Sequence, residues 1–368
     1  MGEANGDGTQ PLDERFGALG HEPTSWGEVV AAARPHIGSY CKACPTCDGR
    51  ACRNAVPGPG AKGVGDVAIR NHAAWGELRV NLDALCPAGP IDTRCELFGR
   101  ELEMPVLIGP VGDVNRHYGP ALDTLGYNRM SLRAARDFGV AAFTGDGVAD
   151  ALMEQSCMAI GEVAGVGVPT IKPWSLEKIA AKMGLANACG AFAIAMDVDA
   201  AGLPFLKGQQ PPAGPKSVEE LREIAAMAKA PFVVKGVMTA RGAEKAVEAG
   251  AAAIIVSNHG GRVLDGCPAT AEVLPDIVRA VGGACRVLVD GGVRTGLDVF
   301  RALALGADAT LVCRPFVVAA YGAGESGIGF LLRKMRGELA DVMEMCGARR
   351  VSDIGPDMLW NARGSSAR

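Results

Sequence analysis

The stretch Ala251–Asp265, AAAIIVSNHGGRVLD, sets an uncharged apolar run against an abruptly polar ending. Ala251 to Val256 is short enough for a strand buried on both faces, as in a parallel sheet covered by helices. Ser257, Asn258, His259, Gly260, Gly261 and Arg262 follow, with Asp265 after a short gap. A buried strand that releases a histidine and an arginine at its C-terminal end has the anatomy of an α/β active site. His259 can move protons near neutral pH, and Arg262 offers a fixed fork of donors that fits a carboxylate. The paired glycines let backbone approach a ligand closely. Taken alone, the same residues also suit a strand-to-helix turn whose polar groups only cap, so the flanking sequence has to decide.

On both sides of this stretch the pattern repeats. From Met104 onward, short apolar runs alternate with helical patterns. The runs are Pro105–Ile108, Val140–Thr144, Thr170–Pro173, Phe192–Met196, Phe232–Val237, Ala253–Ser257, Arg286–Asp290 and Thr310–Cys313. Helical segments are expected at Ser175–Ala186, Ser217–Ala228, Thr239–Ala249, Thr270–Val281 and Thr295–Ala304, several opening with Ser or Thr at the N-cap position. Ser25 is placed to cap a further helix through Ala33. Each crossover is long enough to join parallel strands. Eight such units predict a closed (β/α)8 TIM barrel carrying an N-terminal extension. An open doubly wound sheet is the other α/β option, but no G-x-G-x-x-G follows an early strand.

Length and composition agree. The 368 residues hold a barrel of about 250 residues plus extensions. Fifty glycines against 5% aromatics suggest many tight turns rather than a β-sandwich. A formal charge of −4 with no long basic run argues against nucleic acid or an anionic membrane as the main partner. No apolar stretch reads as a membrane span, and the polar, acidic first residues lack the features of a signal peptide. The twelve cysteines are then expected to be reduced thiols or metal ligands, and the compartment cytoplasmic. Four of them, Cys41, Cys44, Cys47 and Cys52, form a C-x2-C-x2-C-x4-C run. Ferredoxin ligands begin with a similar spacing, which makes the four candidate ligands of an iron–sulfur cluster. Structural zinc and free thiols are the other readings.

In a barrel, chemistry sits on the C-terminal strand ends. Those ends carry Pro110-Val111-Gly112, Thr144-Gly145-Asp146, Lys172, Asp197 and Asp199, Lys235, Ser257 with His259 and Arg262, Asp290-Gly291-Gly292 with Arg294, and Cys313-Arg314. The last two ends are where barrels commonly hold a phosphate, and DGGVRTG leads into a helix start whose N–H groups can face an anion. Lys235 ends an apolar strand and needs an anionic partner there. A carboxylate such as Asp197 behind His259 would fix its tautomer and raise its basicity. With Arg262 on a carboxylate, these roles suit oxidation of a 2-hydroxy acid against a flavin.

Lys235-Gly236-Val237, SNHGGRVLD (257–265), DGGVRTG (290–296) and CRPF (313–316) closely resemble the FMN-dependent α-hydroxy-acid dehydrogenase/oxidase family, which includes glycolate and lactate oxidases. The resemblance runs from about Met104 to about Ile354. It implies FMN, with Lys235 and Ser257 on the flavin and Pro110, Val111 and Gly112 lining its ring. Asp290, Gly291, Gly292, Arg294, Cys313 and Arg314 would hold the phosphate, and His259 would be the base with Asp197 as its partner. Arg262 would bind the substrate carboxylate, and Lys172 stands where the family has a substrate-binding tyrosine. The family's fourth-strand arginine has no counterpart: Pro204 falls near that position, with Lys207 just beyond. Only Tyr40 lies near the place of the family's N-terminal tyrosine, and Cys313 replaces a glycine. The implied organisation is a disordered lead-in (1–24), a cysteine-containing segment packing on the barrel (25–100), the FMN-binding barrel (101–355) and a tail (356–368). Expected partners are a small 2-hydroxy acid, oxygen or a carrier as electron acceptor, and further copies of the chain in a homo-oligomer. Two other readings are a flavin-dependent isomerase like type 2 isopentenyl diphosphate isomerase and a non-catalytic flavin- or metal-binding sensor.

Overall fold

Eight parallel strands close into a barrel in the computed structural model of the protein, which describes residues 21–360 apart from 57 and 164. Most of the expected lead-in and the end of the tail lie outside the described residues. The strands are β1 Val106–Ile108, β2 Ala142–Thr144, β3 Gly167–Ile171, β4 Ile194–Asp197, β5 Phe232–Val237, β6 Ala253–Val256, β7 Arg286–Val289 and β8 Ala309–Val312. Each pairs in parallel with its sequence neighbours, and β8 pairs back onto β1 through Thr310–Val106, Leu311–Leu107 and Val312–Ile108. The third strand lies earlier than Thr170–Pro173 because it runs through Pro169, which pairs with Thr144. A proline interrupts a strand pattern in sequence, since it brings no N–H to the ladder.

Side chains of two layers fill the structure. Leu107, Phe143, Val168, Val233, Ile255, Leu288 and Leu311 point into the barrel, where alanines such as Ala195 and Ala309 make room for the larger ones. The hairpin Cys95–Leu97/Arg100–Leu102 adds Leu97 and Leu102 to that inner cluster. Its two-residue turn places Phe98 (φ 52°) and Gly99 (φ 78°) in the left-handed region, as a tight hairpin requires. Outside the strands, helices bury a larger apolar layer.

The caps read from sequence form. Ser25, Ser175, Ser217 and Thr239 each accept a hydrogen bond from the N–H three residues on, and Ser217 with Glu220 completes a capping box. The helical run Arg314–Met345 breaks at Ala323-Gly324. It is long and apolar enough to pass for a membrane span, which corrects the expectation that no such stretch exists; 78% of its most apolar window is buried inside the protein. Its apolar residues serve the core, packing against Trp26–Ala33 and Thr124–Phe138. Near the end of the described chain, Leu359–Trp360 pairs with Arg79–Val80 instead of trailing as a tail.

Candidate active site

The exit of β6 is shaped by three successive left-handed residues: His259 (φ 56°), Gly260 (φ 63°) and Gly261 (φ 81°). A histidine in that region is strained, which is tolerated where the surroundings fix it. A Cβ on Gly261 would lie 3.0 Å from the Cβ atoms of Ala61 and Val67, so glycine is what lets the N-terminal segment close over this turn. Asp265 takes no part in the chemistry. Its carboxylate accepts from the N–H groups of Val64 (2.8 Å), Gly65 (3.2 Å) and Val67 (3.3 Å), capping helix Asp66–Glu77 onto the barrel mouth.

His259 Nδ1 lies 3.1 Å from Asp199 Oδ1. Asp197, the partner expected from sequence, also brings a carboxylate oxygen within 4.8 Å of the ring, but the hydrogen bond to His259 is made by Asp199. Asp197 ends β4 and accepts from Lys172 Nζ at 2.6 Å, forming a buried ion pair. The chain then turns through the short helix Val198–Gly202, which carries Asp199 to the mouth. A bulge in β5 receives it: Gly236 (φ 102°) has no Cβ, and one built there would meet Asp199 Cβ at 2.6 Å. With Nδ1–H donated to Asp199, the lone pair on Nε2 is the one left to take a proton.

Two substitutions separate these carboxylates. Asp199→Asn is expected to slow substrate-dependent flavin reduction by about 100-fold or more, because the imidazole loses its orienting acceptor. Asp197→Asn is expected to act on stability, leaving buried Lys172 unpaired at a loss of about 3–5 kcal/mol. Rapid-mixing kinetics and thermal unfolding of both variants check the assignment; equal kinetic losses would reject it.

Burial, reinforced by Lys235 and Lys172, holds the His259 imidazole well below its ordinary value, against the pull of Asp197. It is therefore neutral, and able to accept a proton, throughout the neutral range. The unfolded histidine titrates near about 6.5. Above that pH both states carry a neutral ring; below it the unfolded chain binds a proton that the folded one refuses, so stability falls as pH falls. The wild type should lose more thermal stability than His259→Gln between about pH 6.5 and pH 5. Parallel melting curves measure this, and identical losses would contradict it.

Lys235 is 2% exposed; its ammonium donates to Ser257 Oγ at 2.9 Å and lies 3.4 Å from Asp290 Oδ2. Burial alone would favour the neutral amine, but Asp290, Asp199 and Asp197 outweigh it and keep Lys235 charged. A cleft opens above these groups. Every barrel residue assigned a role from sequence lines it except Ser257, which lies buried beneath Lys235. At the β7–β8 end, Gly291 (φ 87°) and Gly292 (φ 89°) expose backbone, and buried Arg314 Nη1 and Asp290 Oδ1 make no hydrogen bond within the protein. Arg294 is more engaged than expected: Nε donates to Cys47 O at 2.7 Å and Nη1 to Val293 O at 2.7 Å. Cys313 lines the cleft beneath Arg314, its thiol pushed up to about 11 by burial and by Asp290.

The motifs did not point to four further residues of the cleft. His117, Tyr118, Leu203 and Phe205 line it together with His259 and Arg262. Tyr118 lies close enough to Arg262 for the two to interact electrostatically. His117 and Tyr118 sit on the short helix Val114–Tyr118 after β1, and Phe205 on the turn Pro204–Lys207 after β4, which Leu203 immediately precedes; neither turn carries a recognisable motif. Asp146 also lines the cleft but is consumed structurally, accepting from Gly147 N, Lys172 N, Trp174 Nε1 and Lys182 Nζ at 2.8–3.1 Å. Tyr40 is 38% exposed and is not part of the cleft lining.

Comparison with known proteins gives three concordant results. A family model described as FMN-dependent dehydrogenase matches residues 59–209 and 210–361. The chain is 31% identical to 4-hydroxymandelate oxidase of Amycolatopsis orientalis, over 82% of this chain and 94% of that protein. It is 30% identical to L-lactate oxidase of Roseobacter sp. (strain GAI101), over 84% and 90% respectively. The alignment with a peroxisomal (S)-2-hydroxy-acid oxidase of Oryza sativa subsp. japonica is tighter, at 50% identity, but spans only 38% of this chain and 37% of that protein. Among solved structures, mandelate oxidase superposes with a TM-score of 0.75 at 29% identity, covering 92% of this chain and 98% of that one.

Proposed function

The chain belongs to the FMN-dependent dehydrogenase family, and from that premise we propose that it oxidises a 2-hydroxy acid to the 2-oxo acid. The observation that carries this reading is the His259–Asp199 pair at 3.1 Å, set in one cleft with Arg262 and Lys235. The residues suit FMN. Arg314 Nη1, Asp290 Oδ1 and the backbone at Gly291-Gly292 offer the donors and acceptors that a phosphorylated ribityl chain needs. Lys235, neutralised by Asp290 and steadied by Ser257, would stand at the polar edge of the flavin, and Pro110 to Gly112 would lie along its ring. Bound there, FMN supplies acceptance of the two electrons that leave the substrate.

The protein's own groups do the rest. Arg262 holds the substrate carboxylate and so fixes which face of carbon 2 is presented. His259 Nε2 takes the proton released as the alcohol becomes a ketone, and Asp199 stabilises the imidazolium that forms. No counterpart of the family's second carboxylate anchor is found, and Leu203, Phe205 and Tyr118 line the cleft. We therefore infer a 2-hydroxy acid with an apolar or aromatic side chain.

The test is product formation. Purified protein incubated with a panel of 2-hydroxy acids and a redox dye should yield 2-oxo acid, with mandelate-like substrates ahead of glycolate. Phe205→Ala should narrow that preference by about 10-fold, the value of a small apolar contact. Turnover without an oxo acid or dye reduction would favour the isomerase reading.

A further inference from the structure

The cysteine segment remains without a role in the chemistry above. Among the described residues from Arg34 to Gly65 there is neither helix nor strand, although the segment lies against the barrel mouth. A compact domain seldom carries so long an irregular stretch unless it is functional. The backbone is also strained where the thiols gather. Ala43, between Cys41 and Cys44, is fully buried with φ 43°, and Asn54 has φ 65°. The loop is pinned by Trp26 Nε1 to Pro45 O at 3.0 Å, Arg34 Nε to Ala43 O at 3.4 Å and Arg294 Nε to Cys47 O at 2.7 Å.

Cys41, Cys44, Cys47 and Cys52 are all free thiols, and each interacts electrostatically with the other three. The eight other cysteines are scattered through the chain. The spacing of the four sulfurs discriminates between metals. A tetrahedral zinc with Zn–S bonds of about 2.3 Å holds its sulfurs about 3.8 Å apart. No three of these sulfurs lie within 4.8 Å of one another; among the described residues only Asp197, Asp199 and His259 make such a trio. A set that is mutually close yet too wide for one ion suits a polynuclear centre, whose ligands bind different irons. Charge agrees. A cluster held by four thiolates is net negative, and Arg294 donates to Cys47 Sγ at 3.7 Å while Arg314 bonds Cys52 and Arg34 lies near Cys44.

We propose that Cys41, Cys44, Cys47 and Cys52 bind a cubane [4Fe–4S] cluster on the barrel mouth, beside Arg294 and Arg314. The site borders the flavin cleft at Arg294 and Arg314 but shares nothing with the His259–Asp199 pair, and metal content is read independently of flavin reduction, so its failure would leave the flavin reading intact. Protein purified anaerobically, and reconstituted with ferrous iron and sulfide if needed, should contain about four iron and four acid-labile sulfide per chain. It should also give a paramagnetic signal on reduction with dithionite. Cys44→Ser should lose iron at least 10-fold, while Cys157→Ser, outside the run, retains it; circular dichroism shows whether each variant is folded. Stoichiometric zinc in place of iron, no metal after reconstitution, or full iron in folded Cys44→Ser would each overturn the proposal. Should Cys44→Ser not fold, the metal and sulfide content of the wild type decides alone.

Discussion

His259→Gln is expected to keep FMN bound and to slow flavin reduction by a 2-hydroxy acid by about 100- to 10,000-fold, the range typical of a lost general base. The imidazole contributes little to cofactor binding in this geometry. Among the described residues its side-chain hydrogen bond goes to Asp199, and the groups proposed for the phosphate follow β7 and β8. Glutamine fills similar space and can still donate to Asp199, so the strained turn at φ 56° should survive. What it cannot do is accept a proton with useful basicity. Rapid mixing with substrate under nitrogen, with bound flavin measured beforehand, separates the two effects. A variant that reduces its flavin at the wild-type rate would remove His259 from the mechanism.

Lys235→Met should instead destabilise the protein and weaken its hold on FMN. Met preserves the apolar stem but deletes the charge that balances Asp290, Asp199 and Asp197 in a buried setting. Breaking a buried pair on one side costs about 3–5 kcal/mol, because the remaining charge keeps its desolvation penalty. Asp290 Oδ2 would lose its 3.4 Å partner and Ser257 Oγ its 2.9 Å donor. Denaturant unfolding and flavin content per chain measure the two losses. A change under about 1 kcal/mol would mean that Asp290 protonates freely and that the pair does not anchor the site.

The barrel was legible because its signal is periodic. Short apolar runs separated by capped helices mark each β/α unit, and Thr270–Val281 forms over the expected residues. β3 was misplaced because Pro169 hides a strand that its neighbours pair with regardless. At the site, residues tied to a strand end by contiguous motif come together at one cleft: Lys235, His259, Arg262 and Asp290 line it, with Ser257 buried beneath Lys235. Asp197 and Asp199 are two positions apart, and no spacing tells which one the chain will turn toward His259. That choice is made by the turn Val198–Gly202 and by the missing side chain at Gly236. His117, Tyr118 and Phe205 escaped because they sit on short turns between elements, where position follows from tertiary packing alone.

The central claim is that His259, Arg262 and the flavin site together oxidise a 2-hydroxy acid, and an anaerobic absorbance titration tests it most directly. Mandelate-like and lactate-like acids should bleach the oxidised flavin band stoichiometrically in the wild type, with one 2-oxo acid formed per flavin reduced. A flavin that stays oxidised with every acid of the panel, in protein shown to be folded and FMN-loaded, would contradict it.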